Sequence, residues 1–117
     1  MTEKKLQAMC EKYLNTNKVK YFHINDAIYN AFNSKRLPLP DWLRFVVLGE
    51  IAGFPDLVIF FKTGKYLCVE LKTDKGKQSP KQKLFEKAVG SDNYKVIRSI
   101  KTFKDAVDPL IKEQKEL

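Results

Sequence analysis

Two apolar runs separated by a short polar stretch with one glycine constrain this chain more than any other feature. They read Asp56-Leu-Val-Ile-Phe-Phe61, then Lys62-Thr63-Gly64, then Lys65-Tyr-Leu-Cys-Val-Glu-Leu-Lys72. Rich in β-branched and aromatic residues and closed by a glycine turn, they predict a strand, a turn and a strand. Along the second strand, side chains alternate faces. Glu70 and Lys72 therefore share a face with Cys68 and Tyr66, while Leu67, Val69 and Leu71 take the other. Turn length decides which of these residues Asp56 meets. A two-residue turn at Thr63-Gly64 would set Asp56 opposite Leu71, whereas a three-residue loop with Gly64 left-handed in a G1 bulge pairs Phe61 with Lys65 and Val58 with Cys68. The second solution, which the glycine favours, sets Asp56 directly opposite Glu70.

Around the hairpin, hydrophobic spacing outlines the remaining elements. Leu6, Met9, Cys10, Tyr13 and Leu14 predict an opening helix from about Glu3 to Leu14, ended by Asn15 to Asn17. Val19 to Ile24 reads as a strand, and Ala27, Ile28, Ala31 and Phe32 suggest a short helix starting near Asn25 or Asp26. Arg36 to Asp41, with two prolines, is a loop, and Trp42 to Ile51 is read as a further short helix. After the hairpin, Ser79-Pro80-Lys81-Gln82 supplies an N-cap, a proline at the first helical position and a capping-box glutamine. Leu84, Phe85, Ala88 and Val89 give that helix its buried face, and Gly90 stops it. Tyr94 to Arg98 is a strand, and Phe103, Ala106, Val107, Leu110 and Ile111 mark a last helix that Pro109 should interrupt or kink. Strands separated by helices imply an α/β (α+β) chain in which helices flank a mixed sheet, in the order α-β-α-β-β-α-β-α. At 117 residues, residues 1–117 make one domain with one core.

The chemistry follows from the register. Directly opposed residues have β-carbons about 5 Å apart, so two carboxylates there repel unless a cation lies between them. Oxygen ligands with no nearby His or Cys favour Mg²⁺ or Mn²⁺, and the backbone carbonyl of Leu71 is a further donor at hand. Lys72 is placed to hold or deprotonate an attacking water and to offset negative charge on a phosphate. Such a centre suits phosphodiester hydrolysis. The competing reading is an ordinary surface salt-bridge cluster of Asp56, Glu70 and Lys72, a common arrangement that contributes little. The excess of 22 Lys+Arg over 14 Asp+Glu, a net charge of +8, favours a polyanionic partner, nucleic acid first among them.

Pro55-Asp56 followed by Glu70-Leu71-Lys72 resembles the PD-(D/E)xK nuclease superfamily. Within it, Gly53-Phe-Pro-Asp-Leu57, the Gly64 turn, Ser79-Pro-Lys-Gln82 entering a helix, Glu3-Lys-Lys-Leu-Gln7 with Tyr13-Leu14, and Phe22-His23-Ile-Asn25 are similar to the VRR-NUC family, especially its compact stand-alone members from phages and bacteria. The resemblance runs from about Glu3 to Val107. It implies a restriction-endonuclease-like fold, with Asp56 and Glu70 as metal ligands, Leu71 contributing its carbonyl, and Lys72 as the catalytic lysine. It further implies that Glu3 approaches the metal through water and that Gln82 orients groups near the scissile phosphate.

Simpler roles compete for the outlying residues. Glu3 complements the helix dipole equally well, with Glu11 the rival, solvent-facing carboxylate of the same helix. Gln82 would also serve as a capping-box residue. His23 is either a substrate contact or a structural histidine. Lys75, Lys77, Lys81 and Lys83 crowd the path leading from the site and would track DNA phosphates rather than read bases.

The resulting expectation is a Mg²⁺- or Mn²⁺-dependent DNA endonuclease. Small stand-alone members of such folds resemble Holliday-junction resolvases, which points to branched DNA. Cutting two symmetric strands needs two active sites, hence a homodimer, for which Ile28, Phe32, Trp42, Phe45 and Val47 would furnish an interface or else fill the core. A nuclease of low selectivity, or a restriction-like one, is the alternative within enzymes. A DNA-binding module without catalysis is the alternative outside them, and the intact Asp56, Glu70 and Lys72 count against it. Cys10 and Cys68 form no CxxC pair and read as buried free thiols. With an amphipathic rather than continuously apolar start, the sequence predicts a cytoplasmic protein of a bacterial host or phage-infected cell, without membrane contact.

Overall fold

The computed structural model of the chain describes residues 1–23, 55–73 and 75–117. The elements predicted between Asn25 and Ile51, and the interface expected from Ile28, Phe32, Trp42, Phe45 and Val47, lie outside these residues. In chain order the described elements are helix α1 (Glu3–Thr16), strands β1 (Lys20–His23), β2 (Leu57–Phe60) and β3 (Tyr66–Leu71), helix α2 (Pro80–Val89), strand β4 (Tyr94–Ile97) and helix α3 (Ile100–Lys115). The strands form one mixed sheet in the order β1-β2-β3-β4, with β1, β2 and β3 antiparallel in sequence and β4 parallel to β3. This α+β arrangement is compatible with a restriction-endonuclease-like fold.

The hairpin adopts the three-residue solution. Gly64 has φ +93°, its N–H donates to the Phe61 carbonyl at 3.0 Å, and the Phe61 N–H donates to the Lys65 carbonyl at 2.9 Å. Val58 consequently pairs with Cys68 and Leu57 with Val69. One face of the sheet, built from Leu57, Ile59, Phe61, Leu67, Val69, Leu71 and Ile97, packs against Leu6, Cys10 and Leu14 of α1 and Phe103, Val107 and Ile111 of α3. Tyr13 ties the two helices together by meeting the Phe103 ring edge-on and donating to the Asp108 carboxylate. On the opposite face α2 brings Phe85 against Tyr94, ring centroids 6.0 Å apart.

The helix boundaries have local causes. Thr2 caps α1 by accepting from the Lys5 N–H, and Ser99 caps α3 by accepting from the Thr102 N–H. At the start of α2 the capping box is complete, and Gly90, at φ +91°, ends that helix. Of the interruption or kink that Pro109 predicts, the interruption does not occur, since α3 runs through it from Ile100 to Lys115. The bond it forfeits is to the carbonyl of Asp105. Both residues lie on the exposed side, where water satisfies that carbonyl, while buried Val107 and Ile111 hold the next turn on the sheet. No described helix is long and apolar enough to cross a membrane.

Candidate active site

Where β2 begins and β3 and β4 end, three chemically distinct groups meet. The paired register ends with Leu57 opposite Val69, one residue short of Asp56 and Glu70. Asp56 does not bond to the strand through its backbone there. Its side chain folds over the end of β3, and Oδ2 accepts from the Leu71 N–H at 2.7 Å. That bond fixes the carboxylate at the strand terminus and supplies a donor to one of its oxygens.

Glu70 is the single charged residue buried among the described residues, at 4% exposure. Its Oε1 accepts from Gln82 Nε2 at 2.7 Å and lies 3.7 Å from Lys72 Nζ. Its Oε2 is buried with no hydrogen-bond partner. Burial, and then the neighbouring Asp56 carboxylate, push its pKa from 4.5 up to about 8, against the opposing pull of Lys72, and Glu3 adds a weaker push. A carboxylate removed from water, beside a second carboxylate and left with an orphaned oxygen, is stabilised by a proton or by a cation.

The residues present fit a hard divalent ion. Asp56 and Glu70 are oxygen donors, and among the described residues no third His, Cys, Asp or Glu joins them to form a ligand cluster. A two-carboxylate site completed by a backbone carbonyl and water is the pattern Mg²⁺ accepts, since it sheds its hydration reluctantly.

Gln82 closes the capping box and also reaches Glu70. Its Oε1 accepts from the Ser79 N–H at 2.8 Å, and its backbone N–H donates to Ser79 Oγ at 3.1 Å, closing the capping box. The remaining amide donor is then aimed at Glu70. One side chain thereby fastens the start of α2 to the functional face of the sheet.

Glu3, exposed at the first position of α1, lines a cleft with Leu6, Lys72, Thr73 and Arg98. Glu11 lies eight residues further on, about 12 Å along the axis. It is half-buried rather than solvent-facing, and it accepts from Gln7 Nε2 at 3.2 Å. Glu3 is thus the helix-one carboxylate at the site. His23 pairs with Leu57 and falls on the α1 and α3 side of the sheet, away from the face carrying Asp56 and Glu70. Lys75, Lys77, Lys81 and Lys83 are all exposed, on the loop after Lys72 and the first half of α2, and among the described residues none forms an ion pair.

Sequence reasoning missed Arg98. Its Nη1 donates to the carbonyls of Thr73 and Gly76, at 2.6 and 2.7 Å, and so binds the loop that leaves Lys72. An arginine whose partners are backbone carbonyls has no sequence signature.

Compared with known families, the sequence matches the VRR-NUC domain over residues 8–98, more than three quarters of the chain. The chain belongs to the VRR-NUC family. Membership gives it a nuclease-type function. The VRR-NUC match contains Asp56, Glu70, Lys72 and Gln82, and leaves Glu3 and α3 outside it. Comparison with curated proteins and with solved structures gave no match.

Proposed function

We propose that this VRR-NUC chain is a Mg²⁺- or Mn²⁺-dependent DNA endonuclease in which Asp56, Glu70 and the Leu71 carbonyl hold the ion and Lys72 acts on the phosphate. The observation that carries the reading is the buried, unpartnered Oε2 of Glu70, on a carboxyl close enough to Asp56 for that carboxylate to raise its pKa. When bound, the ion would polarise a phosphoryl oxygen and lower the pKa of a coordinated water.

The chain's own residues supply the rest. The Leu71 N–H and the Gln82 amide hold the two carboxylates in place, so little reorganisation is needed on binding. Lys72, with its side chain 16% exposed, brings positive charge to the edge of the site, where a pentacoordinate phosphate gains negative charge. The same ammonium would also donate to the attacking water and so hold it in place. Glu3 would act on the same centre through water. The exposed lysines from Lys75 to Lys83 would track the DNA backbone by neutralising phosphates.

Branched DNA is the proposed substrate, and a homodimer the proposed assembly, because symmetric incision of a junction requires two copies of a site present once per chain. The test is cleavage of a four-way junction, matched duplex and single strands with Mg²⁺, Mn²⁺ or EDTA. Metal-dependent cutting lost in Asp56→Ala and Lys72→Ala is expected, with the junction preferred. If no substrate is cut with either metal, the enzymatic reading fails, and a monomer at micromolar concentration would count against paired incision.

A further inference from the structure

We propose that Arg98 is a positioning residue for Lys72, acting through the turn from Thr73 to Gly76. This rests on the reading of Lys72 as the lysine that acts on the phosphate. Lys72 follows the last residue of β3, and its strand-like tether is its N–H, which donates to the Ile97 carbonyl at 3.1 Å. Beyond it the chain turns back, the Gly76 N–H donating to the Thr73 carbonyl at 3.1 Å. Both carbonyls at the mouth of this turn accept from one nitrogen, Arg98 Nη1. Because that nitrogen carries two hydrogens in a fixed plane, it sets the spacing of the two carbonyls, through charge-assisted bonds stronger than neutral ones.

The turn in turn packs on Lys72. A β-carbon placed at Gly76 would meet Lys72 Cδ at 3.4 Å and Lys72 Cβ at 3.5 Å, so the Gly76 backbone lies alongside the lysine stem. With the stem confined on this side, the amine is presented 3.7 Å from Glu70. Arg98, Thr73 and Lys72 also line the cleft shared with Glu3, and both hydrogens of Arg98 Nη1 are committed to the turn. Orientation of the lysine and direct contact with a phosphate through Nη2 or Nε are distinguished by the variants below.

Arg98→Ala and Arg98→Lys separate orientation from charge. With a cleavable DNA and saturating metal, Arg98→Ala should lower kcat about ten- to a hundredfold while KM stays within about twofold. Arg98→Lys, which restores the charge but not the planar fork, should recover little of that loss. A rise in KM at unchanged kcat, or full rescue by lysine, would make Arg98 a substrate contact and overturn the proposal.

A second readout needs no activity. In metal-free protein, site-resolved acetylation should be slow at Lys72 relative to exposed Lys81, and Arg98→Ala should speed Lys72 alone, by about threefold or more. An unchanged Lys72 rate would overturn the proposal even if the parent cuts DNA. Conversely, a parent that cuts nothing would remove the nuclease reading while the acetylation result still decides the role of Arg98. Thiol labelling of buried Cys10 and Cys68 reports any loosening of the core. Should Arg98→Ala increase that labelling, Arg98→Lys decides the matter, because it keeps the aliphatic stem and is expected to speed Lys72 as well.

Discussion

Without divalent cations, Glu70→Gln should stabilise the protein at alkaline pH, the same change that removes a proposed metal ligand. Burial and the Asp56 carboxylate raise the folded pKa of Glu70 from 4.5 to about 8. As pH rises past 4.5 the unfolded chain loses this proton while the folded chain retains it. Stability from this group is therefore full below that point, falls with rising pH, and is lost once pH exceeds about 8. Each pH unit within the window costs about 1.4 kcal/mol, so the passage from about pH 6 to about pH 8 removes on the order of 2 kcal/mol once sharing of the proton with Asp56 is allowed for. Glutamine has the same shape and no charge. Its oxygen can accept from Gln82 and its amide can donate to Asp56. In EDTA at about pH 9 the variant should therefore unfold about 5–10 °C above the parent, with the gap closing toward about pH 5. Thermal unfolding followed by circular dichroism across that range measures it, and added Mg²⁺ should raise the parent only. A variant less stable than the parent at the alkaline end, or a gap that does not change with pH, would show that Glu70 is not a protonated, cation-starved carboxyl.

Gln82→Ala should cost about 1–2 kcal/mol in chemical denaturation, since it opens the capping box and deprives Glu70 of its donor. Gln82→Glu keeps the box but turns an acceptor toward Glu70, so in EDTA above about pH 8, where Glu70 has lost its proton, it should be destabilised at least as much. Glu3→Gln should slow cleavage about tenfold and Glu11→Gln should leave it unchanged, because only Glu3 lines the cleft with Lys72. Replacing Lys81 and Lys83 together by alanine should reduce the slope of log affinity against log salt by about two without changing which DNA is preferred, as measured by fluorescence anisotropy titrations.

What could be read in advance was local. Gly64 specified the turn, and the turn specified the register as far as Leu57 opposite Val69; each step depends on residues close in sequence. The same holds for Ser79, Pro80 and Gln82 at the start of α2. Pro109 does not interrupt its helix, because its cost depends on which side of the helix faces water, a tertiary property that its neighbours do not encode. Glu3 and Glu11 were hard to separate for a similar reason. Both lie on α1, Glu3 ahead of Leu6 and Glu11 beside Cys10, and only the packing of that helix across the sheet brings its N-terminus to Lys72. Arg98 was invisible because its partners are backbone carbonyls more than twenty positions away. His23 stood beside an apolar strand, and its pairing with Leu57 directed it to the other face.

Whether Asp56 and Glu70 together hold a divalent cation can be seen without any assay of cleavage, by anomalous scattering from a crystal grown with Mn²⁺. A peak is expected between the two carboxylates and beside the Leu71 carbonyl, with ligand distances of about 2.0–2.3 Å, and absent from a Glu70→Gln crystal. No peak there, in crystals whose dissolved protein cleaves DNA with Mn²⁺, would contradict the two-carboxylate site.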